Sequence, residues 1–164
     1  MLLEMRVSGL AMDPFTNAPI VILKDKDDKN TLPIWIGILE ASAIAAELEK
    51  VTFSRPMTHD LLKDILKTTN IDVKKIEVND LRDNVYYATV YISTKDGEHT
   101  IDARPSDAIA IALRMSSPIF VDMKVIERAK KIELKPGADK QAGEKDWLEI
   151  LKELSPEDFG KYKM

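Results

Sequence analysis

Residues 101–113, IDARPSDAIAIAL, have the pattern of a strand that ends at a rigid corner, where a helix begins at once. Pro105 fixes its own φ and favours an extended conformation for Arg104, which suits the last residue of a strand. Ser106 is the predicted N-cap, and Asp107 falls in the first helical turn, where its charge complements the helix dipole. The residues that follow are apolar as far as Leu113, so the sequence predicts a helix buried on all sides.

Four polar side chains gather at the start of this helix: Asp102, Arg104, Ser106 and Asp107. Isolated charges are costly to bury, so both acids need a partner, which is Arg104, another basic residue or a metal ion. Carboxylate oxygens suit Mg²⁺ and Mn²⁺, and Asp102 and Asp107 are therefore candidate metal ligands. Ion pairs with arginine and complementation of the helix dipole account for the same acids without a metal. On either interpretation the corner is a candidate site.

Residues 55–60, RPMTHD, repeat this arrangement: an arginine precedes a proline, a hydroxyl residue follows, and an acid stands in the first turn of a predicted helix. Thr58 is the predicted N-cap of that helix. Its predicted buried stripe consists of four apolar residues, Leu61, Leu62, Ile65 and Leu66.

Each corner places a guanidinium beside a helix N-terminus, which already favours anions. Two such corners facing each other would form a pocket for a phosphate or carboxylate, with Arg55, Arg104 and Ser106 as its ligands. The two arginines equally suit structural ion pairs that clamp strand ends onto helix starts.

His59 and its neighbour Asp60 are candidate catalytic groups, because imidazole titrates near neutral pH and suits proton transfer. The same histidine also suits a metal ligand or a second helix cap. Glu40 falls in the first turn of another predicted helix, directly after a strand end, so its carboxylate is a further candidate base.

The rest of the chain alternates hairpins with helices. Its apolar patterns predict seven strands, at about residues 2–12, 18–24, 31–36, 71–78, 85–92, 98–103 and 118–122. Two further helices are predicted over 38–51 and 125–131. Antiparallel hairpins with separate helices indicate the α+β class, a mostly antiparallel sheet with helices packed on it. The predicted domain spans residues 1–134, followed by a linker at 135–143 and a short helical tail at 144–164.

Composition excludes several classes of protein. The 164 residues suit one folded domain, since 45% are hydrophobic and 32% charged. The chain contains no cysteine, which excludes disulfides, thiolate metal ligands and a cysteine nucleophile. It has no apolar run typical of a signal peptide or membrane span, so we expect no membrane partner and a cytoplasmic location. With a formal net charge of −4, any nucleic-acid partner needs a local basic site.

An ordered set of motifs resembles the bifunctional nuclease domain family: LPIWIG at residues 32–37 followed by Glu40, RPMTHDLL at 55–62, Tyr87-Ala88, and DARPSDA at 102–108. The similarity extends over about residues 5–134, and DFGKY at 158–162 is similar to the tails of bacterial members. The resemblance implies an α+β domain that forms homo-oligomers, and hydrolysis of both DNA and RNA by some members. It carries no established catalytic residues, so the roles assigned to individual side chains rest on this chain alone.

The leading hypothesis is a nuclease that hydrolyses phosphodiester bonds of DNA or RNA with the help of Mg²⁺ or Mn²⁺. The two arginines would bind the phosphate, the aspartates would hold the metal, and His59 would relay the proton, with Glu40 as the alternative base. The alternative is a non-catalytic regulatory module that binds an anionic ligand or a protein partner, which the negative net charge favours. The nuclease hypothesis requires the two Arg–Pro corners to meet around one opening to water.

Overall fold

The computed structural model describes residues 1–133, which contain seven strands and four helices. The strands are β1 Leu2–Met12, β2 Pro19–Asp25, β3 Thr31–Trp35, β4 Asp72–Arg82, β5 Val85–Thr94, β6 Gly97–Ala103 and β7 Ile119–Asp122. The helices are α1 Ile38–Leu48, α2 Thr58–Thr68, α3 Pro105–Met115 and α4 Met123–Glu133. None of these four helices has the length and apolar character that crossing a membrane requires. The predicted linker at 135–143 and the predicted tail at 144–164 lie outside the described residues.

The seven strands form one sheet in the order β3-β2-β1-β7-β4-β5-β6. Two antiparallel meanders, β1-β2-β3 and β4-β5-β6, are joined through β7, which is antiparallel to β1 and parallel to β4. Asp83 and Asn84 both have positive φ, as a tight hairpin turn between β4 and β5 requires. The predicted α+β class with its mostly antiparallel sheet is therefore confirmed. Pro33 lies on the edge strand β3, where its missing N–H costs least.

Helix α3 lies at the centre of the helical layer, against β4 and β5 on one side and α1 and α2 on the other. Its residues 108–112 are at most 3% exposed, which confirms the burial predicted from the apolar run. Ala108, Ala110 and Ala112 carry small side chains, and Ala41 and Ala45 of α1 are equally buried. Small residues let two helices approach closely, so the starts of α1 and α3 become neighbours.

Both predicted N-caps are wrong by one or two residues. Helix α3 begins at Pro105, and its N-cap is the extended Arg104 (φ −69°, ψ 142°) rather than Ser106. Proline is favoured at the first helical position because its φ is already helical and no N–H is lost. Helix α2 begins at Thr58, and its N-cap is Met57, whose backbone N–H donates to Asp60 Oδ2 at 3.1 Å. A proline in one helix and a first-turn acid in the other thus replace the predicted hydroxyl caps.

The predicted buried stripe of α2 is also wrong, except at its last member. Leu66 is 9% exposed, whereas Leu61, Leu62 and Ile65 are 54%, 40% and 51% exposed. Among the described elements, α2 packs mainly on α3 at the outside of the helical layer. Helical spacing identifies an apolar face, but it does not say which other element covers that face.

Candidate active site

A cavity of about 280 Å³ opens where the first turns of α1, α2 and α3 approach one another. Each of these helices starts directly after a strand end or a bend, and each carries at least one ionisable side chain in its first turn that lines the cavity: Glu40 in α1, His59 in α2 and Asp107 in α3. Eleven residues line the cavity: Leu39, Glu40, Ser42, Ala43, Phe53, Met57, Thr58, His59, Arg104, Asp107 and Arg114. Helix starts carry positive partial charge and free N–H groups, and this convergence favours an anionic ligand.

A continuous chain of ionic contacts runs along the charged side of the cavity. Arg104 Nη2 lies 2.8 Å from Glu40 Oε1, and Arg104 Nε donates to Asp107 Oδ2 at 2.8 Å. The other oxygen of the same aspartate, Oδ1, lies 2.9 Å from His59 Nε2. The chain Glu40–Arg104–Asp107–His59 therefore joins α1, α3 and α2 through their first turns.

Asp107 is ionised, and its contact with His59 determines which ring nitrogen of a neutral imidazole carries the proton. Burial by itself raises the pKa of this carboxyl, but the hydrogen bonds from His59 and Arg104 outweigh burial and hold the pKa of Asp107 below its usual value. An ionised carboxylate can only accept hydrogen bonds, so Nε2 of a neutral His59 must carry the proton. Nδ1 then keeps the lone pair, as a general base requires. The Asp107 and Glu40 carboxylates also raise the pKa of Arg104, which stays charged.

Gly37 makes room for the carboxylate of Glu40. It is the N-cap of α1, and a Cβ at this position would collide with Glu40 Oε2. Because glycine leaves that space empty, the Glu40 side chain folds back over the helix start and is 16% exposed, in reach of Arg104. The glycine that ends the LPIWIG motif thus has a geometric role in the site.

Arg114 is a site residue that the sequence hypothesis missed. Its side chain is only 2% exposed and its three nitrogens are all engaged. Nε donates to Asp60 Oδ1 at 2.8 Å, Nη1 to the carbonyl of Ala110 at 3.1 Å, and Nη2 to the carbonyl of Ala43 at 3.0 Å. One guanidinium therefore ties α3 to α2 and α1 beneath the cavity. The sequence does contain an indication of this role, since Arg114 is the one charged residue that follows the apolar run 108–113 of a helix predicted to be buried.

Asp60 is turned toward Arg114 and does not line the cavity. Burial is the largest single influence and raises the pKa of this carboxyl, but the hydrogen bonds from Arg114 and from the backbone N–H of Met57, together with the charge of Arg114, outweigh it, and the pKa of Asp60 lies below its usual value. Asp60 therefore stabilises the start of α2 on the side away from the cavity, while its neighbour His59 lines the cavity.

The structure brings together only part of the predicted set. Glu40, His59, Arg104 and Asp107 line the same cavity, whereas the following do not: Arg55, Asp60, Asp102 and Ser106. Ser106 is buried, and Asp102 is exposed on β6, which is an edge strand.

The two Arg–Pro corners differ in register, which explains why Arg55 lies outside the cavity. Arg104 is itself the N-cap of α3 and Pro105 is the first helical residue. In the other corner the N-cap is Met57, so Pro56 and Arg55 precede the helix altogether. The hypothesis required the two Arg–Pro corners to share one opening. The starts of α2 and α3 do meet at the cavity, but of the two arginines only Arg104 lines it.

The donor set does not fit a preformed site for Mg²⁺ or Mn²⁺. Within residues 1–133, no three or more His, Asp or Glu side chains are grouped so as to hold a metal ion. Both oxygens of Asp107 are engaged, by His59 and by Arg104. The Arg104 guanidinium also stands between Asp107 and Glu40, where a bridging cation would have to bind. A metal role for Asp102 and Asp107 stays a prediction.

Comparison with known proteins relates this chain to the bifunctional nuclease domain family. The bifunctional nuclease domain model matches residues 21–133. A Mycobacterium tuberculosis protein described as uncharacterized (strain ATCC 25618 / H37Rv) is 36% identical over 163 residues, 95% of this chain and 97% of that protein. Bifunctional nuclease 2 of Oryza sativa subsp. japonica is 32% identical over 108 residues, 63% of this chain and 33% of that protein. Bifunctional nuclease 2 of Arabidopsis thaliana is 30% identical over 132 residues, 73% of this chain and 40% of that protein.

Proposed function

Because the chain belongs to the bifunctional nuclease domain family, we propose that it hydrolyses phosphodiester bonds of nucleic acid, in DNA, in RNA or in both. The observation that carries the proposal is the contact chain Glu40–Arg104–Asp107–His59 in the wall of a cavity. In this contact chain Asp107 holds the candidate base His59 close to the positively charged guanidinium of Arg104. Phosphodiester hydrolysis needs that pair, since water must lose a proton while negative charge grows on the phosphate.

In the proposed reaction, His59 Nδ1 accepts a proton from water as the water oxygen forms a bond to phosphorus. Asp107 keeps the other ring nitrogen protonated and stabilises the imidazolium that results. One P–O ester bond breaks, and the departing oxygen takes a proton from solvent.

Arg104 suits the phosphate-binding role in this reaction. Its Nε and Nη2 are held by carboxylates, Nη1 makes no hydrogen bond with residues 1–133, and the side chain is 66% exposed. The guanidinium is therefore fixed in orientation and still reachable. An incoming phosphate oxygen would replace part of its contact with Glu40, and charge-assisted bonds of this kind are strong.

The test compares two arginines that each precede a proline. In Arg104→Ala, we expect cleavage of labelled single-stranded DNA and RNA to fall by about 10²–10³-fold, as for loss of one donor to a developing negative charge. Arg55→Ala is the matched control, since its side chain is exposed and outside the cavity, and its rate should stay within about twofold of wild type. Circular dichroism verifies that both variants fold. Equal rates for the two variants would contradict the proposal.

A binding module without turnover is the second candidate function. The observation that favours it is the neutralisation of Arg104 by two carboxylates, together with the net charge of −4. Salt-sensitive binding of an oligonucleotide that stays intact after long incubation would support this candidate over the nuclease.

Three further properties belong to the proposal: a requirement for Mg²⁺ or Mn²⁺, which would bind together with the phosphate because residues 1–133 hold no preformed site, self-association and a cytoplasmic location. Dialysis against EDTA followed by addition of either ion tests the first. Sedimentation tests the second, and fractionation of the cells that produce the protein tests the third.

A further inference from the structure

The cavity has an apolar side that phosphate chemistry does not explain. Leu39, Phe53 and Met57 line it together with the charged residues, and apolar atoms form the larger part of its wall. Leu39 is 67% exposed although it stands at the mouth of a polar site. A phosphate group alone gains nothing from such side chains, whereas a flat, weakly polar ring does.

We propose that this cavity holds one unpaired nucleotide, with its base against Phe53, Leu39 and Met57 and its phosphate at Arg104. The choice of ligand rests on the proposed function. Bases of single-stranded nucleic acids stack on aromatic side chains, and such stacking tolerates any sequence because every base has a π-face. A volume of about 280 Å³ lies just below the usual range of ligand pockets, about 300–1,000 Å³, so it suits one nucleotide-sized group and not a base pair.

The base must be unpaired to reach this wall. An enzyme that takes a base into a pocket has to extrude it from a duplex, and the cost is least when the strand is already single. Electrostatic attraction offers little compensation for that cost here. Arg104 and Arg114 are both paired with carboxylates and the chain is negative overall, whereas duplex binding depends largely on free basic residues.

Ligand binding tests the inference independently of cleavage. The probes are dTMP and 2-deoxyribose 5-phosphate, which carries the same phosphate and sugar without the base, and calorimetry measures both. We expect wild type to bind dTMP about tenfold more tightly than the sugar phosphate, as a single stacking contact would give. In Phe53→Ala this ratio should fall to about one, and in Phe53→Tyr it should be retained.

Phe15→Ala is the matched control, because Phe15 is 71% exposed and does not line the cavity. It should keep the wild-type ratio. If Phe53→Ala does not fold, Leu39→Ala takes its place, because a side chain as exposed as Leu39 can be shortened without loss of folding. In Leu39→Ala we expect a smaller fall in the ratio of dTMP affinity to sugar-phosphate affinity. Equal wild-type affinity for the two probes, no binding of either, or equal ratios in Phe53→Ala and Phe15→Ala would overturn the inference.

Cleavage assays separate this inference from the proposed function. In a single-stranded oligonucleotide with one abasic residue, wild type should cut the adjacent bond about tenfold more slowly than in the intact strand, and Phe53→Ala should remove the difference. The matching duplex should be cut more slowly than the single strand. Cleavage without any such differences would overturn the inference and leave the proposed function in place. Base-dependent dTMP binding with no cleavage of any oligonucleotide would support the inference and refute the nuclease.

Discussion

Asp107 is the residue on which the geometry of the site depends, because its two oxygens hold a histidine and an arginine at once. Its low pKa keeps the carboxylate charged across the neutral range. The position in the first turn of α3, predicted to complement the helix dipole, thus also orients His59 and Arg104. The Asp107 carboxylate therefore stabilises the start of its own helix and also positions two side chains around it.

Gly37 allows a separation of site geometry from stability. In Gly37→Ala the new methyl group would displace the Glu40 carboxylate, which is the far end of a flexible side chain. The backbone at Gly37 has φ −74°, an ordinary value for alanine, so we expect the free energy of unfolding to change by less than about 1 kcal/mol. Cleavage activity should fall about tenfold, the order expected when a neighbouring group shifts a binding arginine.

The control for this prediction is Gly9→Ala, where nothing lies within 4 Å of the added Cβ. Urea denaturation and initial cleavage rates measure the two effects. Full activity in Gly37→Ala would show that the contact between Glu40 and Arg104 does not matter for the reaction.

At the scale of elements, one buried guanidinium sets the arrangement of three helices. Arg114→Met keeps the side-chain volume but leaves Asp60 without its ion-pair partner and removes the side-chain hydrogen bonds to the carbonyls of Ala43 and Ala110. We expect a loss of about 3 kcal/mol in the free energy of unfolding, the lower end for a broken buried pair because Asp60 is one-third exposed. Arg128→Ala breaks a half-exposed pair with Asp80 and should cost at most about 1 kcal/mol. Similar losses in both variants would contradict this role of Arg114.

The contact between α2 and α3 also makes stability depend on pH. The pKa of Asp60 is lowered in the folded protein, so its ionised form stabilises the fold fully above the unfolded value of about 3.9. That contribution is lost as the pH falls through the lower, folded value. Asp60→Asn should therefore be less stable than wild type at pH 7, and its stability should fall less steeply below about pH 4.

Thermal unfolding followed from neutral to acidic pH measures this difference in slope. Asp64→Asn provides the control, since Asp64 is exposed on the same helix and makes no ion pair with the described residues. It should have the same slope as wild type. A wild-type slope in Asp60→Asn would mean that other acids govern unfolding at low pH.

At the scale of the whole molecule, the exposed apolar face of α2 is the candidate contact surface for the self-association proposed above. Leu61 and Ile65 are both more than half exposed and lie one helical turn apart, and apolar side chains exposed side by side are typical of interaction surfaces. We expect Leu61→Glu combined with Ile65→Glu to sediment as a smaller species than wild type, with its circular dichroism spectrum unchanged. Phe15→Glu, an exposed apolar position elsewhere, should sediment like wild type. An unchanged sedimentation coefficient in the double variant would exclude this face as the contact.

Much of the secondary structure could be predicted because it depends on local patterns. The alternation of residues 2–12, the turn residues Asp83 and Asn84, and the apolar run of α3 each specify an element within a few residues. The α+β class followed from those elements. The insertion of β7 between two meanders could not be predicted, since strand pairing across the chain depends on which surfaces remain to be covered.

The sequence by itself determined which chemical groups stand in the first turns of three helices, Glu40, His59 and Asp107, and that Arg104 directly precedes one of these helices. Only the tertiary structure decided which of the candidates share a cavity, that Arg104 is included and Arg55 is not, and that a buried Arg114 holds the helices together. The physical reason is the distance along the chain over which each kind of interaction acts. Turn and helix preferences act over a few residues, whereas a site is formed by side chains whose meeting depends on how whole elements pack.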